Sequence, residues 1–194
     1  MSLAQSQDVS LLVKKLEKLH LVTSFPICTN SRAPESVFCK DEKLFSELIQ
    51  NLERLSTDPN AIILLDFQGQ HLGSTDGDLC LFLVGLPMKT YVVDAIALED
   101  RLPKLSPYLQ DRRLRKIVWD GRLGYSEFWH RYGIRLENVL DLQLVYIHER
   151  YELLRKKVLH LSGRTIALKD KNLLSATAIE NDLNRKSECI PYLI

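Results

Sequence analysis

The 194-residue chain lacks most of the patterns that declare a chemistry. Its four cysteines (Cys28, Cys39, Cys80 and Cys189) lie far apart and form no Cys-x-x-Cys pair. That argues against a zinc ribbon or a redox motif, and for reduced thiols in the cytoplasm or nucleus. The five histidines (His20, His71, His130, His148 and His160) do not cluster at ligand spacing. There is no Gly-x-Ser-x-Gly elbow for Ser/His/Asp catalysis. The apolar runs are short, as at residues 61–65 (AIILL). A membrane helix needs roughly 20 such residues. The polar start, residues 1–7, has no signal-peptide core. Internal repeats and low-complexity tracts are absent.

What is present reads as an ordinary globular chain, 45 % hydrophobic and 26 % charged. This composition excludes collagen, coiled-coil and disordered classes. A chain of this length buries roughly 70 % of its unfolded surface and needs no disulfide or metal to fold. The net charge of +1 hides an asymmetry. Residues 1–100 carry 8 basic and 14 acidic groups, net −6, and residues 101–164 carry 14 and 7, net +7. A segment of that sign has the electrostatic footprint of a phosphate-binding face; the blander reading is solvated helix faces paired with nearby acids.

Along the chain, residues 8–21 place Leu12, Leu16 and Leu19 at helical spacing, and residues 23–36 read as a connector with two prolines. A second helix is expected near 42–55, capped by Asp41. Three strands come next, at 61–69, 78–84 and 90–95, separated by turn residues. A broken helix at 99–110 leads to a strand at 115–119 and a helix at 123–133, closed by Gly133. Residues 140–144 begin a strand-to-helix step into a charged helix that runs to about 161, and 172–186 form a tail helix. This order predicts an α/β domain with a mixed sheet: three antiparallel strands, then parallel ones joined by helical crossovers. Residues 1–36 are expected to be an N-terminal helix and connector, and 37–194 the domain proper.

Asp66 and Gln68 end the first strand two residues apart, so their side chains share a face. Two acids in that arrangement would form half of a divalent-metal cage; a Gln offers an amide oxygen but no charge. The context, Leu65-Asp66-Phe67-Gln68-Gly69, resembles the Asp-x-Glu-Gly motif of the DEDD 3′–5′ exonucleases, the ribonuclease D and Werner-exonuclease group. The next two strands, Gly77-Asp78-Leu79-Cys80-Leu81-Phe82-Leu83 and Thr90-Tyr91-Val92-Val93-Asp94, are similar to the family's second and third. The run from Lys116 to Tyr125, with Phe128 and Tyr132-Gly133-Ile134, resembles the family's second motif. Glu137-Asn138-Val139-Leu140-Asp141-Leu142-Gln143 resembles the segment after that motif. The resemblance covers about residues 40–150. It implies a ribonuclease H-like fold and is nearest to the degenerate members, such as the PIWI-pathway exonuclease-domain protein and Egalitarian.

The departures from the family pattern carry most of the functional expectation. The family's Glu is Gln68, its next metal-binding Asp aligns with Gly124, and its final Tyr-x-x-x-Asp has no counterpart beyond Asp182, with Ala178 where the Tyr would stand. The resemblance thus implies a degenerate site at Asp66, Gln68, Gly124 and Asp182, with Asp66 and Asp182 the only candidate metal ligands. No cofactor is expected; Mg²⁺ or Mn²⁺ would serve if the site were active. Asp120 is expected to cap the helix after it, and Asp141 to act as a turn or helix-start residue. Arg112, Arg113, Arg115, Lys116, Arg122 and Arg131 are candidates for phosphate contact, and Trp119 and Tyr125 for base stacking. Most of the aromatic cluster that also includes Phe128, Trp129 and Tyr132 is expected in the core.

The expected function is a catalytically inactive exonuclease-like domain. It would bind RNA or single-stranded nucleic acid, scaffold a protein partner in an RNA-processing or silencing complex, and have the option of a homodimer, with no membrane partner. The alternative is a divergent but active metal-dependent 3′–5′ exonuclease acting on RNA or single-stranded DNA.

Overall fold

The computed structural model describes residues 35–152, 163, 164, 166 and 167. The helices expected at 8–21 and 172–186, most of that expected to run to 161, and Asp182 lie outside the described residues. Described residues up to Val145 belong to one compact unit and those from Tyr146 onward to a second.

The first unit is a six-stranded mixed sheet. In chain order come β1 (Glu35–Cys39), α1 (Glu42–Ser56), β2 (Ile62–Gln70), β3 (Asp78–Gly85) and β4 (Lys89–Asp94). A 3₁₀ turn at Glu99–Leu105 then runs into the short α2 (Ser106–Leu109). After it come β5 (Arg115–Val118), α3 (Arg122–Tyr132), β6 (Val139–Asp141) and α4 (Leu142–Glu152). The spatial order is β1-β4-β3-β2-β5-β6. Strands β2, β3 and β4 pair antiparallel as a meander, and β5 and β6 join β2's other edge in parallel. This is the mixed sheet that the order of hydrophobic patterns predicts.

The strand β1 is not among the expected elements. It begins at Glu35, inside the stretch read as connector, and pairs parallel with β4 at the sheet edge. Its five residues, ESVFC, bury only Cys39. An edge strand with one buried residue leaves too short an alternation to see in sequence.

Local signals elsewhere behave as their chemistry dictates. Asp41 Oδ1 accepts from the Leu44 backbone N–H at 2.9 Å, capping α1. That helix turns Phe45, Leu48 and Leu52 inward. Gly133 closes α3 at φ +64°, a left-handed value that a Cβ disfavours, and the Ile134 N–H returns to the Phe128 carbonyl at 3.0 Å.

Strand alternation divides β2. Ile63 and Leu65 are buried in one continuous core with Phe82, Val84, Tyr91 and Val93 of the neighbouring strands and with Phe45, Leu48 and Leu52 of α1. Phe67 continues this face: its ring stacks on Phe82 at 5.2 Å and meets Phe128 of α3 edge-on at 5.4 Å. Leu64, Asp66 and Gln68 alternate onto the opposite face, where Leu64 is exposed. The sheet therefore presents Asp66 and Gln68 together and away from the aromatic core.

Candidate functional site

Asp66 stands opposite Leu83 of β3, and Gln68 opposite Leu81, just before the register shifts at Gln68/Gly69. The two side chains meet as the spacing requires, and they meet each other. Gln68 Nε2 donates to Asp66 Oδ2 at 2.7 Å. The amide hydrogen thus occupies a carboxylate lone pair that a metal ion would otherwise use. Among the described residues, no three His, Cys, Asp or Glu side chains gather as a metal site would need. A site for paired Mg²⁺ or Mn²⁺ requires several carboxylate oxygens at one point, with at least one bridging. One carboxylate already bonded to an amide does not fit that requirement.

Gly124 lies in the first turn of α3 and is buried. A Cβ placed there would meet Phe67 Cε2 at 2.7 Å, with ring atoms Cγ and Cδ2 nearer still. The structure thus brings Gly124 against the ring between Asp66 and Gln68 rather than against a carboxylate.

Asp120 and Asp141 are close but structural. The Asp141 carboxylate accepts from the backbone N–H groups of Asp120 at 3.0 Å, Gly121 at 3.1 Å and Gln143 at 2.9 Å. It ties the β5–α3 loop to the start of α4, in keeping with its expected turn or helix-start role. Asp120 does not cap α3. The N-cap is Gly121, which has no side-chain bond, while Asp120 takes φ +54° and its carboxylate receives Arg122 Nε at 2.7 Å and Nη2 at 3.0 Å.

The basic residues separate into three environments. Arg112, Arg113 and Arg115 lie at the start of β5. Its parallel register pairs Arg115 with Ile62 and Ile117 with Leu64, so Asp66 falls level with Trp119, about 13 Å along the strand from Arg115. Arg113 pairs with Asp111 at 2.9 Å, and Arg112 approaches Glu137 at 3.5 Å; among the described residues Arg115 has no ion-pair partner. Lys116 is wholly buried. Its Nζ donates to the Asp111 carbonyl, and burial pushes its pKa down to about 8 against the pull of Asp111 and Glu137. A sealed ammonium offers nothing to a phosphate, so the expected contact at Lys116 has no surface to act through.

Arg122 and Arg131 lie on α3. Arg122 is exposed and shared with Asp120. Arg131 is the hub of an acidic cluster, reaching Asp78 at 2.8 Å, Glu99 at 2.8 Å and Glu127 at 3.5 Å. Asp78 first, then Glu99, hold its pKa well above the ordinary arginine value. Glu127 is 4 % exposed and also accepts from the Gly73 N–H at 3.3 Å. Glu127 and Arg131 thus fasten α3 to the β2–β3 hairpin tip, beside a cavity of about 650 Å³ lined by Gly73 to Asp78 with Ser126 and His130. Within the +7 segment, Arg101 and Lys104 pair with Glu42, and Arg131 with Asp78 and Glu99, acids from outside the segment that a running charge count does not link to it.

The aromatic residues divide as well. Phe128 is buried, and Tyr132 packs against it at 5.5 Å. Tyr125 and Trp129 are turned out, 38 % and 47 % exposed. They stand at i and i+4, with Arg122 a turn before them. Four residues of helix separate the two rings by about 6 Å along the axis. Trp119 is half-buried. Trp129, expected in the core with most of the cluster, is the exposed residue that periodicity could have found, since it lies four residues from Tyr125 and one beyond the inward Phe128.

No protein-family model matches the chain, and no curated relative matches it. Solved structures do. Trypanosoma brucei RNase D bound to GMP matches with a TM-score of 0.60 and 21 % identity over 73 % of this chain and 43 % of that one. The same enzyme in complex with RNA U12 matches at 0.57 and 21 %, over 77 % of this chain and 51 % of that one. The EXD2 exonuclease domain soaked in Mg and GMP matches at 0.50 and 19 %, over 72 % and 70 %. The fold is that of these exonuclease domains. At these identities the likeness fixes architecture alone, and the chain spans about half the length of the RNase D structures it matches. The ribonuclease H-like mixed sheet expected from the motif order is thus what the chain adopts. No helix among the described residues is long and apolar enough to cross a membrane.

Proposed function

We propose that this domain binds single-stranded nucleic acid, RNA in the first instance, and does not hydrolyse it, acting as a binding and scaffolding module in an RNA-processing or silencing assembly. The observation that carries the reading is the hydrogen bond from Gln68 to Asp66. Two-metal hydrolysis relies on carboxylates that hold cations on either side of the scissile phosphate. Here the one carboxylate of the strand is satisfied by a neutral amide, and the position expected to supply the next ligand is Gly124, packed against an aromatic ring. A site of this kind repels phosphate less than an empty acidic cage would.

The binding half of the reading rests on α3. Tyr125 and Trp129 offer two ring faces at a spacing suited to successive bases of an extended strand, and Arg122 stands beside them. The likeness of the fold to RNase D, whose structure holds RNA U12, favours RNA as the ligand class. Arg122, Tyr125 and Trp129 of α3 are the residues we assign to the interface; Asp66, on the sheet face turned away from the aromatic core under α3, and the half-buried Trp119, level with it just after β5, stand outside it. Arg112, Arg113 and Arg115 would meet the strand only if it ran along β5 to the other end of the sheet.

The test is fluorescence anisotropy with a labelled oligouridine across a salt series. Affinity should fall linearly with salt on logarithmic axes. Joint replacement of Tyr125 and Trp129 by Ala should weaken binding by about 10–100-fold, at 1–3 kcal/mol per stacked base. Salt-independent or absent binding, or binding indifferent to both rings, would remove the interface from the account.

A further inference from the structure

We propose that Phe67 is the residue that keeps position 124 without a side chain. The ring and the glycine form an interlocked pair, so that the expected ligand position at 124 is closed by packing and not merely vacated by substitution. This rests on the reading of 124 as a degenerate ligand position, but the packing argument stands on the contacts alone.

Three observations bear on it. First, the atoms that a Cβ at 124 would strike include Cγ of Phe67, next to the backbone, and not the tip of a flexible chain. Cγ moves only if χ1 changes or if β2 and α3 separate. Second, χ1 is held by its neighbours: the ring stacks on Phe82 at 5.2 Å, meets Phe128 at 5.4 Å, and those two rings meet each other at 4.9 Å. Phe82 and Phe128 are wholly buried, so the partly buried ring cannot turn toward them without displacing core side chains. Third, Glu127 and Arg131 pin α3 to the hairpin tip a turn further on, which resists lifting the helix away from the strand. Gly124 forgoes helix propensity that any residue other than proline would supply. Its presence in the first turn is explained by the close approach that the ring demands.

The pair makes an unusual demand on substitutions. An alanine inside a helix ordinarily stabilises it relative to glycine. Here Gly124→Ala should do the opposite, lowering Tm by about 5 °C as overpacking outweighs propensity. In a Phe67→Ala background, which lacks Cγ, the same change should raise Tm by about 2 °C. A carboxylate follows the same rule. Gly124→Asp should likewise lower Tm with Phe67 intact and be better tolerated in the Phe67→Ala background.

The experiment is thermal unfolding of the four proteins of the Phe67/Gly124 cycle. Reversal of the sign of the Gly124→Ala effect supports the pair. A rise of Tm on Gly124→Ala with Phe67 intact, or an equal shift in both backgrounds, overturns it. If Phe67→Ala does not fold, the arm with Phe67 intact decides alone, because a stabilising Gly124→Ala contradicts the proposal and a destabilising one supports it. Hydrolysis by the wild-type protein would defeat the functional reading and leave the sign reversal standing, so the two can fail separately.

Discussion

At the tip of the β2–β3 hairpin, Asp78, Glu99 and Glu127 share the guanidinium of Arg131; a few residues back along β2, Asp66 is bonded to the amide of Gln68. Both places set carboxylates against the same two strands, and both satisfy them from within the chain. At the tip a full positive charge offsets acids of which one, Glu127, is buried, and the arrangement holds α3 in place. At Asp66 a neutral donor suffices, because a single part-exposed carboxylate remains. The difference shows what the second half of an acidic motif contributes. With two acids a cation is needed, whether metal or guanidinium; with one acid and one amide the pair closes on itself.

The comparison can be broken most forcefully at the tip. Arg131→Met leaves Glu127 buried without its cation, and should cost about 2–3 kcal/mol in urea unfolding, nearly all of it from Glu127 since the exposed pairs to Asp78 and Glu99 are worth little. A loss below about 0.5 kcal/mol would mean that Glu127 is satisfied by Gly73 alone.

Lys116 sharpens the same contrast, because it is a buried cation with a carbonyl for a partner and, among the described residues, no carboxylate in ion-pair contact. Its pKa is lowered from 10.5 to about 8 by burial. Between those values the unfolded chain holds a proton that the folded chain has released, so the folded state gains stability as pH rises. Below pH 8 the burden of burying the charge is present in full. Relative to Lys116→Met, wild-type stability should therefore climb by on the order of 2–3 kcal/mol from pH 8 to 10.5. A flat difference across that window would show that the ammonium is not desolvated.

Asp141→Ala removes the acceptor of three backbone N–H groups and should destabilise by about 2 kcal/mol, read by thermal or urea unfolding. The smallest effect is expected at the site itself. Gln68→Glu sets two carboxylates side by side in place of a hydrogen bond and should cost about 1 kcal/mol at pH 7. Acidification below the carboxylate range should abolish that difference, since a protonated Glu can donate as the amide does. A pH-independent cost would mean that the amide packs rather than bonds.

Much of this fold is legible in the chain. Asp41 ahead of a helical stripe, three strand-like runs with turns between them, and Gly133 behind a helix are local signals, and each acts where it stands. The edge strand β1 is not legible, because only Cys39 of its five residues is buried. The site is legible at Asp66 and Gln68, whose shared face arises from the period of a strand. A charge count places Lys116 at the surface, although it shares a strand face with the buried Val118, and that alternation is the available clue. The partnership of Phe67 with Gly124 is fixed by packing between β2 and α3, and Arg131 reaches Asp78 across 53 positions of chain. Composition and spacing carry no trace of either.

The most direct test of the account is incubation of 5′-labelled single-stranded RNA with the protein in Mn²⁺, resolved at nucleotide steps, beside an Asp66→Ala control. The amide-closed carboxylate predicts intact RNA in both lanes under conditions where anisotropy reports a bound complex. A ladder of 3′-shortened products that disappears in the Asp66→Ala lane would contradict it and establish a divergent, active metal-dependent exonuclease.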